Sequence, residues 1–505
     1  MKRTLGLLFP WLWLPTSAWA QVIATPIDPD LAGSPPDEAP APPIPRGAAA
    51  VGPNVLVNDR ALCPNGRGLQ QNETAIAVGG GGDVVVVAFN DARGAAGACQ
   101  EEHAAVGWGY SLDGGATFTD GGALPGSALF SGGDPWLGVS PDGGTFYLSG
   151  LRTGLQGIGF YRGVLDGGRI AWDEPTVISF PGHVMDKEAF AVDPSTNIIH
   201  LAYTRLGQRV YVTTSFDAGH TWTPAATVRA SFAQGAFPVV DNLSTLYIAY
   251  NVGWPGANQA ATVARSLDGG ATFSEVVSFP FSTQAVPYVD RSPSFPQLAV
   301  DTSGGCREGW VYMVWHATLG GVVRPVISHS EDHGTTWSAP IPVNSDTTNA
   351  YHWSPTVSID QAGNVHVLFL DRRENPGTGY TDVYLAQSTD GGLTFVDQPV
   401  TDVTSTWQGV AFDGGFTAAG DYMKALAYGT NVLAAWTDPR NGDPDIYFAK
   451  IDAGDMTPPF FCSVAPTSVP ASGYSISPPR GSRYAATHLP RGRSPSCGRR
   501  PWTRG

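Results

Sequence analysis

After its first twenty residues the sequence has no apolar run of the roughly 20 residues that a membrane-spanning helix needs. Charge is also scarce. Charged residues make up 14 %, and 29 Lys and Arg stand against 44 Asp and Glu, for a formal net charge of -15. A surface of that sign repels phosphate backbones, so nucleic acid is not an expected partner. Cysteine is rare: five residues in a chain of 505 are too few for a scaffold built from disulfides. There is no HExxH, no clustered His/Cys spacing and no EF-hand spacing, so neither a metal nor another cofactor is expected.

What is present begins with Met1-Lys2-Arg3, an apolar run from Leu5 to Leu14, and Ala18-Trp19-Ala20. A basic start, a short apolar stretch and a small-x-small site predict a signal peptide over 1–20, cleaved after Ala20. Gln21, not a cysteine, stands directly after that site, which argues against a lipid anchor. The mature protein is expected to be secreted or periplasmic, soluble and monomeric. Residues 21–51 are rich in Pro and Ala and predict a linker. Residues 456–505 are rich in Pro and Ser, turn basic from Arg480, and predict a disordered tail.

Between these ends, over 52–455, the chain repeats itself. Five octapeptides follow Ser-x-Asp-x-Gly-x-Thr-aromatic: SLDGGATF at 111–118, SFDAGHTW at 215–222, SLDGGATF at 266–273, SEDHGTTW at 330–337 and STDGGLTF at 388–395. VLDGGRIAW at 164–172 reads as a degraded copy. Each is a turn: the Asp carboxylate accepts backbone N–H groups, and the Gly supplies a positive φ. Such regularity means a repeat architecture. Seven strongly apolar strands recur, Val84–Phe89 the first and Val432–Trp436 the last, each with an apolar strand before it and another after it. The predicted fold is all-β, a propeller of four-stranded antiparallel blades A-B-C-D with the octapeptide at the C–D turn. Seven blades are expected, six being the alternative. The last blade lacks a fourth strand, and GPNVLVNDR at 52–60 resembles one, so the N-terminal strand is expected to close the ring.

The octapeptides resemble the Asp boxes, or BNR repeats, of the sialidase superfamily. QNETAIAV, DKEAFAVD, LDRR, GDYM and WTDPR resemble more narrowly the exported bacterial proteins described as exo-sialidase-like. The resemblance implies an Asp-box propeller and a glycoside hydrolase acting on extracellular glycans. Sialidases hold a substrate carboxylate with three arginines and use a Tyr nucleophile, a Glu that polarises it and an Asp acid/base. Catalytic sialidases have six blades and an N-terminal Arg-Ile-Pro, which is missing here.

With the octapeptides at one face, the opposite face receives the ends of the B strands and the starts of the A strands. The residues there are polar. Those before the A strands include Asn72, Glu73, Asp134, Asp186, Lys187, Glu188, Arg291, His352, Trp353, Asp421 and Tyr422. The catalytic candidates are Tyr422, Glu73 and Asp421, with Tyr422 as nucleophile and Glu73 as its base. The ligand-binding candidates are Arg93, Asp134, Asp186, His352, Trp353, Arg372 and Arg440. Asp91/Arg93, Asp371/Arg373 and Asp438/Arg440 repeat at equivalent positions, which suits a structural role. An alternative to catalysis is a propeller that binds glycan or protein at this face. Cys63 and Cys99 fall in loops expected at the same blade and face, and a disulfide between them is predicted.

Overall fold

Branched and aromatic side chains make the B strands the best-buried elements. Val84–Asp91 reads VVVVAFND, and residues 84–89 are all buried. Such strands need cover on both faces, which a ring of sheets packed face to face supplies. In the computed structural model the chain separates into two units, Met1–Pro42 and Pro43–Gly505. The structure describes residues 51–60, 71–91, 105–126, 132–180, 182–205, 209–289, 291–410 and 419–453, all in the second unit. The signal peptide and tail expected from the sequence lie outside these residues, as does the linker except Val51. Cys63, Cys99 and Arg93 also lie outside them. Cys306 is disulfide-bonded.

Seven antiparallel sheets form, each with four strands in the order A-B-C-D, and in blades 2 and 6 a short fifth strand, Arg169–Trp172 or Ser405–Thr406, also pairs with the C strand. The A strands are Gln71–Gly79, Gly133–Val139, Met185–Val192, Ala233–Val240, Gln297–Val300, His352–Ile359 and Lys424–Tyr428. They touch one another in sequence around a closed circuit, the last against the first, so they line the axis. The protein is a seven-bladed β-propeller. In the seventh blade the outermost strand is N-terminal: Val55 pairs with Phe448 and Leu56 with Tyr447, and Val51 bridges to Ile451.

The five octapeptides share one hydrogen-bond scheme. In the turn after Ala105–Ser111, Ser111 Oγ donates to Asp113 and accepts from the Gly115 N–H. Asp113 accepts from the Thr117 N–H at 2.9 Å and the Thr117 hydroxyl at 2.6 Å. Each turn also packs on the preceding blade. Gly219 (φ +86°) sits so close to Phe160 that a Cβ would lie 2.3 Å from the ring. The degraded copy at 164–172 differs. Gly167-Gly168 forms a two-residue hairpin that pairs Asp166 with Arg169, and the outer strand Thr176–Ser179 joins the other end of the C strand. Its Gly-Gly pair meets the φ demands of a hairpin, whereas the Ser and Thr of the octapeptide are absent.

Candidate functional site

Five inner strands begin with a β-bulge. The register slips between Asn72 and Ala75, Gly133 and Trp136, Asp186 and Ala189, Gln234 and Phe237, and Trp353 and Thr356. Within each slip one residue is left-handed: Glu73 (φ 57°), Asp134 (55°), Lys187 (51°), Gly235 (73°) and Ser354 (51°). Glycine adopts this freely; the other four are strained by roughly 1–3 kcal/mol each. A bulge re-aims the side chain it carries. Here it sends a glutamate, an aspartate and a lysine from three blades to the axis.

Lys187 is the hub. Its Nζ lies 2.9 Å from Asp134 Oδ1, 2.9 Å from Asp421 Oδ2 and 3.2 Å from both oxygens of Glu73. These residues enter blades 3, 2, 7 and 1, and side chains so distributed meet only at the axis. The main chain joins in: the Lys187 N–H donates to Asp134 Oδ2 and the Asp421 N–H to Glu73 Oε1. Gly420 (φ +93°) allows that last contact, because a Cβ there would lie 2.7 Å from Glu73 Cγ. Arg291, at the entry to blade 5, holds Asp421 with both Nε, at 2.6 Å, and Nη2. The arginine side chain is half exposed, whereas Asp421 is buried. Asp186 is half-buried, accepts from the Gln234 amide and shares a hydrogen bond with Asp134.

The cluster holds five carboxyl groups, Glu73, Asp134, Asp186, Glu188 and Asp421, and two cations, Lys187 and Arg291. Five buried negative charges against two positive ones would be expensive, so protons stay on some of the acids. Asp134 is held down at about 2: Lys187 and hydrogen bonds from its neighbours outweigh its burial. Asp421 is likewise lowered, because Arg291 and then Lys187 outweigh burial. Burial pushes Glu73 and Glu188 well up, and lifts Asp186 to about 7. Two cations thus face two acids whose proton affinity is lowered, while Glu73, Asp186 and Glu188 hold their protons more tightly than ordinary carboxyl groups.

Tyr422 lies beside this network, its ring 5.7 Å from Lys187 Nζ. Its hydroxyl, the nucleophile that the sialidase resemblance implies, donates to the Pro135 carbonyl at 2.9 Å. Burial and the surrounding carboxylates raise its pKa well above that of an ordinary phenol. Trp136 and Phe237 pack on the Tyr422 ring, and Lys424 Nζ sits 4.8 Å from the Trp136 ring. Burial lowers Lys424 to about 8.

Of the predicted residues, Glu73, Asp134, Asp186, Asp421 and Tyr422 come together. The others described do not join them. His352 is fully buried, with Nε2 2.9 Å from Asp346 and Nδ1 3.0 Å from Asp371. Arg372 is buried against the Trp353 ring at 4.7 Å and donates to the Thr381 hydroxyl and the Pro287 carbonyl. Arg440 bonds Asp438 and Asp402 and covers the Tyr447 ring; Arg373 does the same with Asp371, Asp397 and Tyr384. Lys187, Glu188 and Arg291 stood among the polar strand entries with no assigned role. Lys424 and Gln234 were missed; their one signal is a polar residue inside an apolar inner strand. Among the described residues no group of three or more His, Cys, Asp or Glu is arranged to hold a metal, and no helix is long and apolar enough to cross a membrane.

No protein-family profile and no curated protein matches the chain. Solved structures of similar fold include a Dyadobacter fermentans protein of unknown function, 15 % identical with TM-score 0.47 over 80 % of this chain and 98 % of that one. The Hadza microbial sialidase Hz136 is 12 % identical with TM-score 0.40, over 76 % of this chain and 66 % of its own. The BP39L lectin from Burkholderia pseudomallei is 13 % identical with TM-score 0.49, over 76 % and 97 %. The propeller assignment rests on the sheet pairing rather than on these likenesses.

Proposed function

We propose that the protein is an exported propeller that acts on extracellular glycans as a glycoside hydrolase, with the axial carboxyl cluster as its acid–base centre. One observation carries this reading: carboxyl groups from four blades converge around Lys187 and Arg291, with Asp186 half-buried and raised by burial to about 7 while Asp134, held by Lys187, is lowered to about 2. Glycoside cleavage needs that division, since one acid must hold a proton near neutral pH while another stays ionised. Asp186, the half-buried member, gives its proton to the glycosidic oxygen. Asp421, kept ionised by Arg291 and Lys187, faces the positive charge that develops on the sugar. The half-exposed Arg291 guanidinium and Asp186 meet the ligand first. Export is read from the N-terminal segment.

Purified protein should be assayed with fluorogenic sialosides and neutral glycosides. Asp186→Asn should lower kcat by about 10²-fold or more, as expected for loss of a general acid. Tyr422→Phe separates two versions of the chemistry. A sialidase-type Tyr nucleophile predicts loss of turnover by orders of magnitude; carboxylate chemistry predicts that turnover survives. A second reading, binding of glycan or glycoprotein without turnover, is favoured by the burial of Asp134 and Asp421 and by their engagement with Lys187 and Arg291. Inactivity on every glycoside, together with retention on a glycan array, would select it.

A further inference from the structure

A cleft of about 470 Å³ opens at the seam of blades 2 and 3, on the face that carries the octapeptide turns. Its walls are the A–B turn of blade 2, with Asp142, the A–B turn of blade 3, with Asn197, and the octapeptide turn of blade 3, with Ala218 and His220. It opens where the repeat is broken. Blade 2 carries the Gly167-Gly168 hairpin in place of an octapeptide, and its outer strand pairs with Gly157–Phe160, at the far end of the C strand.

The walls are set in place. Tyr147 and Asn197 bond each other across the seam, hydroxyl to amide, at 3.0–3.2 Å. Asn197 (φ 58°) and Ala218 (φ 56°) are both left-handed. The corresponding turn position in three other octapeptides is glycine, Gly114, Gly269 and Gly391, so an alanine accepts strain here. Arg162 is already held by Asp173 at 2.7 Å, the Thr176 hydroxyl at 3.0 Å and the Gly219 carbonyl at 2.9 Å. It therefore offers little to an anion. The Tyr147 ring is buried, so it presents no aromatic face to a nucleobase. The remaining groups are the second oxygen of Asp142, the His220 imidazole, which makes no hydrogen bond with a described residue, and the hydroxyl and amide groups of the two A–B turns. They supply both donors and acceptors to a space of the size that small-molecule sites have.

We propose that this cleft is a second carbohydrate site, which holds a neutral mono- or disaccharide through its hydroxyls and does not cleave it. It shares with the axial reading only the class of ligand. The probes are glucose, galactose, mannose and their common disaccharides, followed by saturation-transfer NMR and calorimetric titration. The double variant Asp142→Asn/His220→Ala leaves the Asp142 turn an acceptor and changes an exposed imidazole. It should weaken binding at least about tenfold, with a cooperative unfolding transition retained. Leu267→Ala, at an exposed position of another octapeptide turn, should bind these sugars as the wild type does. Wild-type affinity in the double variant, or no binding of any of these sugars at millimolar concentration, would overturn the proposal. So would an equal loss of binding in Leu267→Ala. Failure of the axial reading appears as absent glycoside hydrolysis, which leaves this binding measurement intact.

Discussion

The Asn58 side-chain amide donates to Asp445 Oδ1 at 3.0 Å, joining two residues 387 positions apart in the chain. The same side chain bonds Gln71 and accepts from the Ile446 N–H at 2.8 Å. It fastens the closing strand to both the last blade and the first. Asn58→Ala leaves buried partners unsatisfied and should cost about 1–3 kcal/mol. Removing residues 1–60 should destabilise the ring far more than removing 456–505. Thermal unfolding of the two truncations checks this, and equal midpoints would reject the closing role.

The octapeptide glycines allow a sharper comparison. Gly219 and Gly269 both have positive φ, +86° and +71°, but only at Gly219 would a Cβ meet a ring. Gly269→Ala should cost only the left-handed strain, about 1–2 kcal/mol. Gly219→Ala should cost that plus roughly 1–3 kcal/mol of overpacking against Phe160. Urea titrations of both variants measure the difference, and equal losses would mean that the turn does not weld the blade seam.

Acid stability follows from the same turns. Hydroxyl donors, Ser111 first for Asp113, Thr221 for Asp217 and Thr272 for Asp268, hold these carboxyl groups at about 2. The folded pKa is below the unfolded value of about 4, so the contribution is fully present above pH 4 and is lost as pH falls through 2. Asp217→Asn should therefore be less stable than wild type at pH 7, and the gap should close by pH 2. A gap independent of pH would show that the carboxylate charge contributes nothing.

The blades were legible because their signals are local and repeated. Val84–Phe89 and its counterparts are buried on both faces, and each octapeptide carries its own donors and acceptors. Closure was legible from one missing strand and one spare. The site was half legible. Sequence brought polar residues to the correct strand ends, yet the bulges that aim Glu73, Asp134 and Lys187 inward leave no mark, since three of the five bulged blades place a charged residue where glycine would announce positive φ. Nor does spacing separate Asp421, which reaches the axis, from Arg440, which is taken up by Asp438, Asp402 and Tyr447. That difference depends on which neighbours the ring supplies.

Lys187 tests the axial network most directly. It is the group that Glu73, Asp134 and Asp421 share. Lys187→Met keeps the length and apolar stem of the side chain and removes the charge. At pH 7 the variant leaves buried carboxylates without their cation, and a loss of about 3–5 kcal/mol is expected. The pH dependence should also change sign. In the wild type Asp134 sits at about 2, so its contribution is present above pH 4 and lost on acidification. Without Lys187 its burial dominates and its folded pKa rises above the unfolded value. Stability is then greatest below pH 4 and is lost as pH rises through the new pKa. Lys187→Met should therefore recover part of its loss between pH 7 and pH 5, and Lys187→Met/Asp134→Asn should recover part of it at pH 7, because position 134 then has no charge to bury while Asp421 keeps Arg291. Denaturant titrations of both variants at the two pH values decide the matter. A loss that neither acid nor the second substitution relieves would mean that Lys187 acts through its packing and not as the cation that the three carboxyl groups share.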